Sequence, residues 1–390
     1  MKSLIKLVSF LFVFSIPFYD VPKTFRDGIA LSGIIGVPLL FLFLIGIKNK
    51  KKVLNFPKEP TFLMGLFMIF YSLSMLFNVY NLEERAPNHL VFYTYSFLVY
   101  TIIPFFVMNA FGAKWFVKVL SYSVIVVSII GLVEVSLYYL AGYSAYATFL
   151  NHGHNVGTFG GFPRIRSTFN EPSHFALFLD CTLPLLWYYK RWLSFLIGFV
   201  TLILTFPTST FFGMIVASTI VVIGLFLLLP KRPLRFFGVL VCIIPVLVLF
   251  KLYIYEPLYY KIFNIRTEDS YRYYTWLSAF HEALEKPILG YGPAGYYLKH
   301  EYGLFNWYLQ IFYESGILGL VSLLLLIFTV LKKTLRVRSL VFTFFFLTFV
   351  FSMVVMNHYY LPGFWIFIAF IYYIDKEKRQ QLNLDLERAA

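Results

Sequence analysis

The eleven residues from Arg164 to His174 hold two arginines, a carboxylate and a histidine, in the order Arg164, Arg166, Glu171, His174. Arginine presents a planar fork of donors that matches phosphate oxygens. Asn170 can cap a helix and Pro172 is tolerated in a first turn, which puts Glu171 and Ser173 at a helix mouth. Helix N-termini attract anions through unpaired N–H groups and the dipole. The combination points to a phosphate-bearing substrate. The opposing reading is that these arginines touch lipid headgroups or neutralise Glu171, as interfacial arginines often do. Both readings stand at this level.

A second set lies further along, where Ser270 can cap a short amphipathic helix carrying Arg272, Trp276, Phe280 and His281. Arg272 can reach the same cavity as Arg164. His281 and His300 fit surface histidines more readily than catalytic ones. Three carboxylates, Glu134, Asp180 and Glu314, fall inside apolar runs, where an unpaired charge is costly. They either line a shared polar cavity or are protonated or hydrogen-bonded within a helix bundle.

The elements that must position these groups follow from composition. The chain has 390 residues, of which 13% are charged, and its mean hydropathy is +0.74. The bilayer is therefore its main solvent. A crossing helix needs roughly 20 apolar residues, and the apolar runs give about twelve, near 4–19, 28–47, 60–80, 90–110, 115–141, 173–189, 192–206, 209–229, 235–254, 303–331, 339–357 and 361–374. The expected fold is one all-α polytopic membrane domain, 1–390. Two long outer loops, 142–172 and 255–302, contain short helices, and function concentrates in such loops.

Lys and Arg cluster between alternate runs, most densely at Lys48–Lys52, Lys231–Arg235, Lys332–Arg338 and Lys376–Arg379. These mark the cytoplasmic side. On that orientation both termini are cytoplasmic, 22 of the 33 Lys and Arg lie inside, and all seven histidines lie outside. The net charge of +14 thus mostly encodes topology, and no nucleic-acid partner is implied. The basic, apolar N-terminus has no convincing small-residue cleavage site and reads as the first span. Cys181 and Cys242 sit in different runs with no disulfide or metal spacing. No Gly-Lys-Ser/Thr phosphate loop is visible.

Three stretches carry a resemblance: Arg164–Ala176 (RIRSTFNEPSHFA), Asp269–Gly292 (DSYRYYTWLSAFHEALEKPILGYG) and Asn306–Gly319 (NWYLQIFYESGILG). Together they resemble the O-antigen polymerase and ligase superfamily, the Wzy-type and WaaL-type membrane glycosyltransferases of bacterial cell envelopes. Ligases of this group place a His immediately before the third stretch, where this chain has Phe305. The Glu-Pro-Ser at Glu171–Ser173 is instead similar to polymerase members.

The resemblance implies a metal-independent, cofactor-free polymerase at the outer face of the bacterial plasma membrane. Donor and acceptor are polyprenyl-diphosphate-linked oligosaccharides, and the partners are membrane lipid, a chain-length regulator and a flippase. On this reading Arg164, Arg166 and Arg272 hold the donor diphosphate. Glu171 is the general base, or His174 or His300 is the base while Glu171 orients the acceptor. Tyr296, Tyr297 and Trp307 stack on sugar faces. Two rivals remain: a ligase that transfers glycan to a lipid A core, and a flippase. A flippase needs polar residues at many depths, and the cytoplasmic half of this chain nearly lacks them.

Overall fold

A computed structural model of the chain describes residues 2–19, 30–46, 56–148, 158–159, 162–228, 251, 272–300, 303–357 and 361–389. The apolar runs are helical, since a helix satisfies its own backbone where no water can. In chain order the helices are α1 Lys2–Ser15, α2 Leu31–Gly46, α3 Lys58–Phe77 and α4 Ala86–Phe111, which carries a π turn at Leu98–Ile102. Next come α5 Ala113–Thr148, broken at Gly142 (φ 84), α6 Pro172–Tyr188, α7 Trp192–Leu204 and α8 Thr208–Leu228. The last four are α9 Arg272–Ala283, α10 Trp307–Arg336, α11 Leu340–Ser352 and α12 Pro362–Ala389. A two-residue hairpin pairs Thr158–Phe159 antiparallel with Phe162–Pro163.

Among the described residues four helices are long and apolar enough to cross a bilayer: α3, α4, α5 and α10. A fifth crossing results if α7 and α8, bent by 115° across residues 205–207, act as one broken span. The sequence predicts these two as separate crossings. With 13 residues α7 reaches only about 20 Å, short of the ~30 Å hydrocarbon core. Shorter apolar helices are Leu31–Ile45 and Leu340–Ser352. The expected span at 235–254 lies outside the described residues apart from Lys251, as do most of 149–161 and the Ser270 cap.

The centre is built by α6 and α12, which run side by side. α6 is buried through Leu186 and the apolar half of α12 over Phe364–Ile374, so neither stretch has a solvent face. Gly363 permits their approach: a Cβ there would lie 3.1 Å from the Leu177 carbonyl oxygen and from Cys181 Cβ. Aromatic rings fill the surroundings, with Phe349 and Phe364 stacked at 4.5 Å. Around this pair, α3 packs on α10, α8 on α11, α7 on α5 and α6, and α1 on α2 and α5.

Candidate functional site

Polar side chains gather at the end of the bundle that the charge pattern assigns to the outside. The chain returning from the first loop is laid across α5 and the α7–α8 break. Ile165 N donates to Leu204 O (3.2 Å) and Arg164 Nε to Thr205 O (3.0 Å). Arg166 Nε sits 2.7 Å from Glu134 Oε1, while the backbone N–H groups of Arg166 and Ser167 donate to Oε2 at 3.0 and 2.9 Å. Both side chains are fully buried. Ser167 Oγ donates to Val127 O and Thr168 Oγ1 to Pro17 O. Arg166, expected on a donor phosphate, is thus spent on Glu134 in a buried pair.

At the mouth of α6 the cap falls one residue later than the sequence predicts. Proline at the first helical position drives its predecessor into extended geometry. Glu171, not Asn170, is therefore the N-cap (φ −130°, ψ 146°). Ser173 Oγ donates to Glu171 Oε2 at 3.0 Å, and His174 Nε2 lies 3.7 Å from the same oxygen. The Glu171 side chain is 41% exposed, whereas that of His174 is nearly covered.

Arg272 opens α9. Its Nη1 donates to Val355 O (2.9 Å) in the α11–α12 connection, and its guanidinium lies 4.6 Å over the Phe305 ring. Asn306 caps α10, accepting from Leu309 N (3.0 Å).

The glycine-rich stretch Pro287–Gly292 then docks, backbone to backbone, on a break in α10. Tyr291 N donates to Tyr313 O (2.8 Å), Gly292 N to Glu314 O (3.0 Å), and Ile317 N to Pro287 O (2.8 Å). Gly290 and Gly316 both have positive φ (68° and 62°). A Cβ on Gly290 would strike the Tyr313 carbonyl oxygen, and one on Gly316 the carbonyl of Ile288, so only glycine fits either place. Two of the stretches that carry the family resemblance are in this way a single interlocked unit. Its product is a local gap in the helix ladder beside Glu314.

Glu314 is fully buried there. Tyr71 Oη donates to Oε2, Gln310 Nε2 donates to Oε1 (2.7 Å), and His89 Nδ1 lies 3.2 Å from Oε1. Ser74 Oγ donates to the Glu314 carbonyl (2.6 Å), and Asn78, bonded to Gly290 O and to Lys286 Nζ, closes the α3 side. The sequence reading places Glu314 at this depth but misses His89, Tyr71 and Gln310. Tyr71 and His89 come from helices far from Glu314 in the chain, and Gln310, four residues before it on the same helix, looks like an ordinary helix residue.

The aromatic residues divide. Tyr297 is half-buried, edge-on to His89 (6.2 Å) and beneath Arg85 (5.3 Å). Tyr296 is buried and stacks on His300 at 4.2 Å. Trp307, expected as a sugar platform, is instead fully buried against Phe349 and Phe364, and its Nε1 donates to Tyr93 Oη (2.8 Å). His300 Nε2 contacts Glu282 Oε1 (3.0 Å), which also takes Ser278 Oγ (3.1 Å); Oε2 takes Tyr313 Oη (2.9 Å) and faces Lys299 (3.4 Å). Burial alone would raise the Glu282 pKa, but hydrogen bonds from Tyr313, His300 and Ser278 outweigh it and hold the carboxyl below its usual range. No group of three or more His, Cys, Asp or Glu side chains converges as a metal site among the described residues.

These features define a class: an all-α membrane protein with a polar, aromatic-lined cluster at one end of its bundle. Residues 193–324 match the family model Wzy_C, described as O-antigen ligase. The match takes in Arg272 and the glycine interlock, covers about a third of the chain, and supports the O-antigen ligase and polymerase superfamily, hence a role in surface-polysaccharide synthesis. No curated protein matches the chain.

Proposed function

We propose that the protein is a membrane glycosyltransferase that transfers a glycan from a polyprenyl-diphosphate donor to the non-reducing end of a second lipid-linked repeat unit, building a surface polysaccharide. The observation that carries this reading is the family match over 193–324, which contains Arg272 at the head of an exposed amphipathic helix. Arg272 contributes a fixed cation for the donor diphosphate and for the charge that develops on it as the sugar–phosphate bond breaks. Arg164, held by Thr205, adds a second. Arg166 supports the loop through Glu134 instead of touching donor. Glu171, exposed at the α6 mouth, faces the acceptor, as base or as an orienting group, with His174 beside it. Tyr297 supplies a ring for a sugar face; Tyr296 lies beside it, Trp307 is buried elsewhere in the bundle, and His300 is tied to Glu282. The chain needs no metal for this chemistry. A chain-length regulator and a flippase are its working partners in the plasma membrane, with both termini in the cytoplasm.

The description of the matched family as a ligase keeps transfer to a lipid A core as the second reading, against which Phe305 and the Glu171–Ser173 stretch argue. Purified protein with a lipid-linked repeat unit decides: a ladder of products supports polymerisation, transfer only to added lipid A core supports the ligase, and no new bond rejects both. Arg272→Lys should lose most activity with the protein still folded, because an ammonium cannot reproduce a two-pronged grip on a diphosphate. Near-normal product from that variant would remove Arg272 from the donor site.

A further inference from the structure

The Glu314 cluster is built unlike a packing device. A carboxylate deep in a helix bundle is costly unless paired, and a permanent cation is the usual partner. Glu314 has instead a phenol, an amide and a histidine. It is also held at a glycine-made break in α10 that Pro287–Gly292 keeps from closing. Around it, His89 rises from the first turn of α4 with 12% of its side chain exposed. The chain therefore runs from a buried carboxylate, through an imidazole, toward the surface, and it ends beside Tyr297, the half-buried ring suited to a sugar face.

We infer that His89, whose Nδ1 lies 3.2 Å from Glu314 Oε1, takes the proton from the acceptor hydroxyl as it attacks the donor sugar. This rests on the glycosyltransferase reading and adds a residue to it. In the step the acceptor O–H proton passes to His89 Nε2 while the acceptor oxygen forms a bond to the anomeric carbon. The bond from that carbon to the diphosphate oxygen breaks, and its electron pair leaves with the polyprenyl diphosphate. Glu314 stands at the Nδ1 side of the ring, while Tyr71 and Gln310 hold its carboxyl group in place. Among the described residues, charged and titratable groups near His89 include Glu314 and, through it, Tyr71; Tyr297 from residues 295–298; and Arg85 with Glu83 one turn before it. The neighbouring Tyr93 hydroxyl is occupied by Trp307.

The test is the pH–rate profile of purified full-length protein on a lipid-linked repeat unit. His89→Gln should fold, bind donor normally and lose about 10²- to 10⁴-fold in turnover, the usual contribution of general-base help. It should also lose the limb of the profile that falls as a histidine protonates. Glu314→Gln removes the carboxylate beside Nδ1 and should lower turnover with donor binding unchanged. Should His89→Gln fail to fold, His89→Ala with added imidazole replaces it, and rate recovered in proportion to neutral imidazole supports the assignment. His89→Gln within a few-fold of wild type with the limb intact overturns it, as does loss of that limb in Glu171→Gln alone. Wild-type protein that forms no glycosidic bond rejects the glycosyltransferase reading and this residue's role with it.

Discussion

Glu134 and Glu314 are the same residue type in nearly the same setting: each inside an apolar helix, each fully buried, each toward the outer end of the bundle. Their partners differ in kind. Glu134 meets Arg166, a cation that never gives up its proton, together with two backbone N–H groups. Such a pair can only hold the loop at 164–168 against α5. Glu314 meets a hydroxyl, an amide and a histidine, of which the histidine can gain or lose a proton. One carboxylate therefore clips two segments together, and the other organises a titratable group. Asp180, the third carboxylate at such depth, has neither kind of partner: both of its oxygens lack a hydrogen-bond partner among the described residues.

The sharpest way to break the comparison is at its rigid side. Arg166→Met should cost about 3–5 kcal/mol, because it leaves the buried Glu134 charge without its cation. Thermal unfolding in detergent would show it, and adding Glu134→Leu should recover most of the loss. A small effect of Arg166→Met by itself would mean the pair is not what fixes the loop. On the other side, Gly316→Ala forces a Cβ into the Ile288 carbonyl at a positive φ, a strain of about 1–3 kcal/mol. It should also release the Pro287–Gly292 stretch beside Glu314. Transfer activity should consequently fall further than thermal stability does; equal loss of both would reduce the interlock to a packing feature.

The smallest effect is expected at the opposite end of the bundle. There Lys333 bridges Glu59 (2.7 Å) and Asp375 (3.4 Å), and Asp375 also meets Arg379 (3.1 Å). The Glu59 side chain is 47% exposed, and exposed ion pairs are worth about 0–1 kcal/mol. Glu59→Gln should therefore change neither melting temperature nor transfer rate measurably. A large drop would show that ion pairs at the two ends are not so different after all.

How far the sequence reaches can be followed residue by residue. Arg272 lies in a helix, as its amphipathic context suggests, and the helix start at Pro172 is legible because proline restricts its neighbour locally. The shift of the cap from Asn170 to Glu171 is equally local, following from the same restriction. Trp307 shows the limit: its letter suits a sugar platform, but only the neighbours Tyr93, Phe349 and Phe364 decide that its ring is covered.

The sequence by itself determined the all-α membrane character, through hydropathy, and the set of residues able to do chemistry, because both depend on residue type and short spacing. Tertiary structure alone decided which of them meet. Arg166 reaches Glu134 from 32 residues away and Tyr71 reaches Glu314 from 243. No local pattern encodes such pairings; they exist only once α3, α4, α5 and α10 have packed. The glycines of Pro287–Gly292 and Gly316 join the two levels. Their type announces a backbone that no other residue tolerates, and the fold supplies the reason, which is that each backbone lies where the other's side chain would have to be.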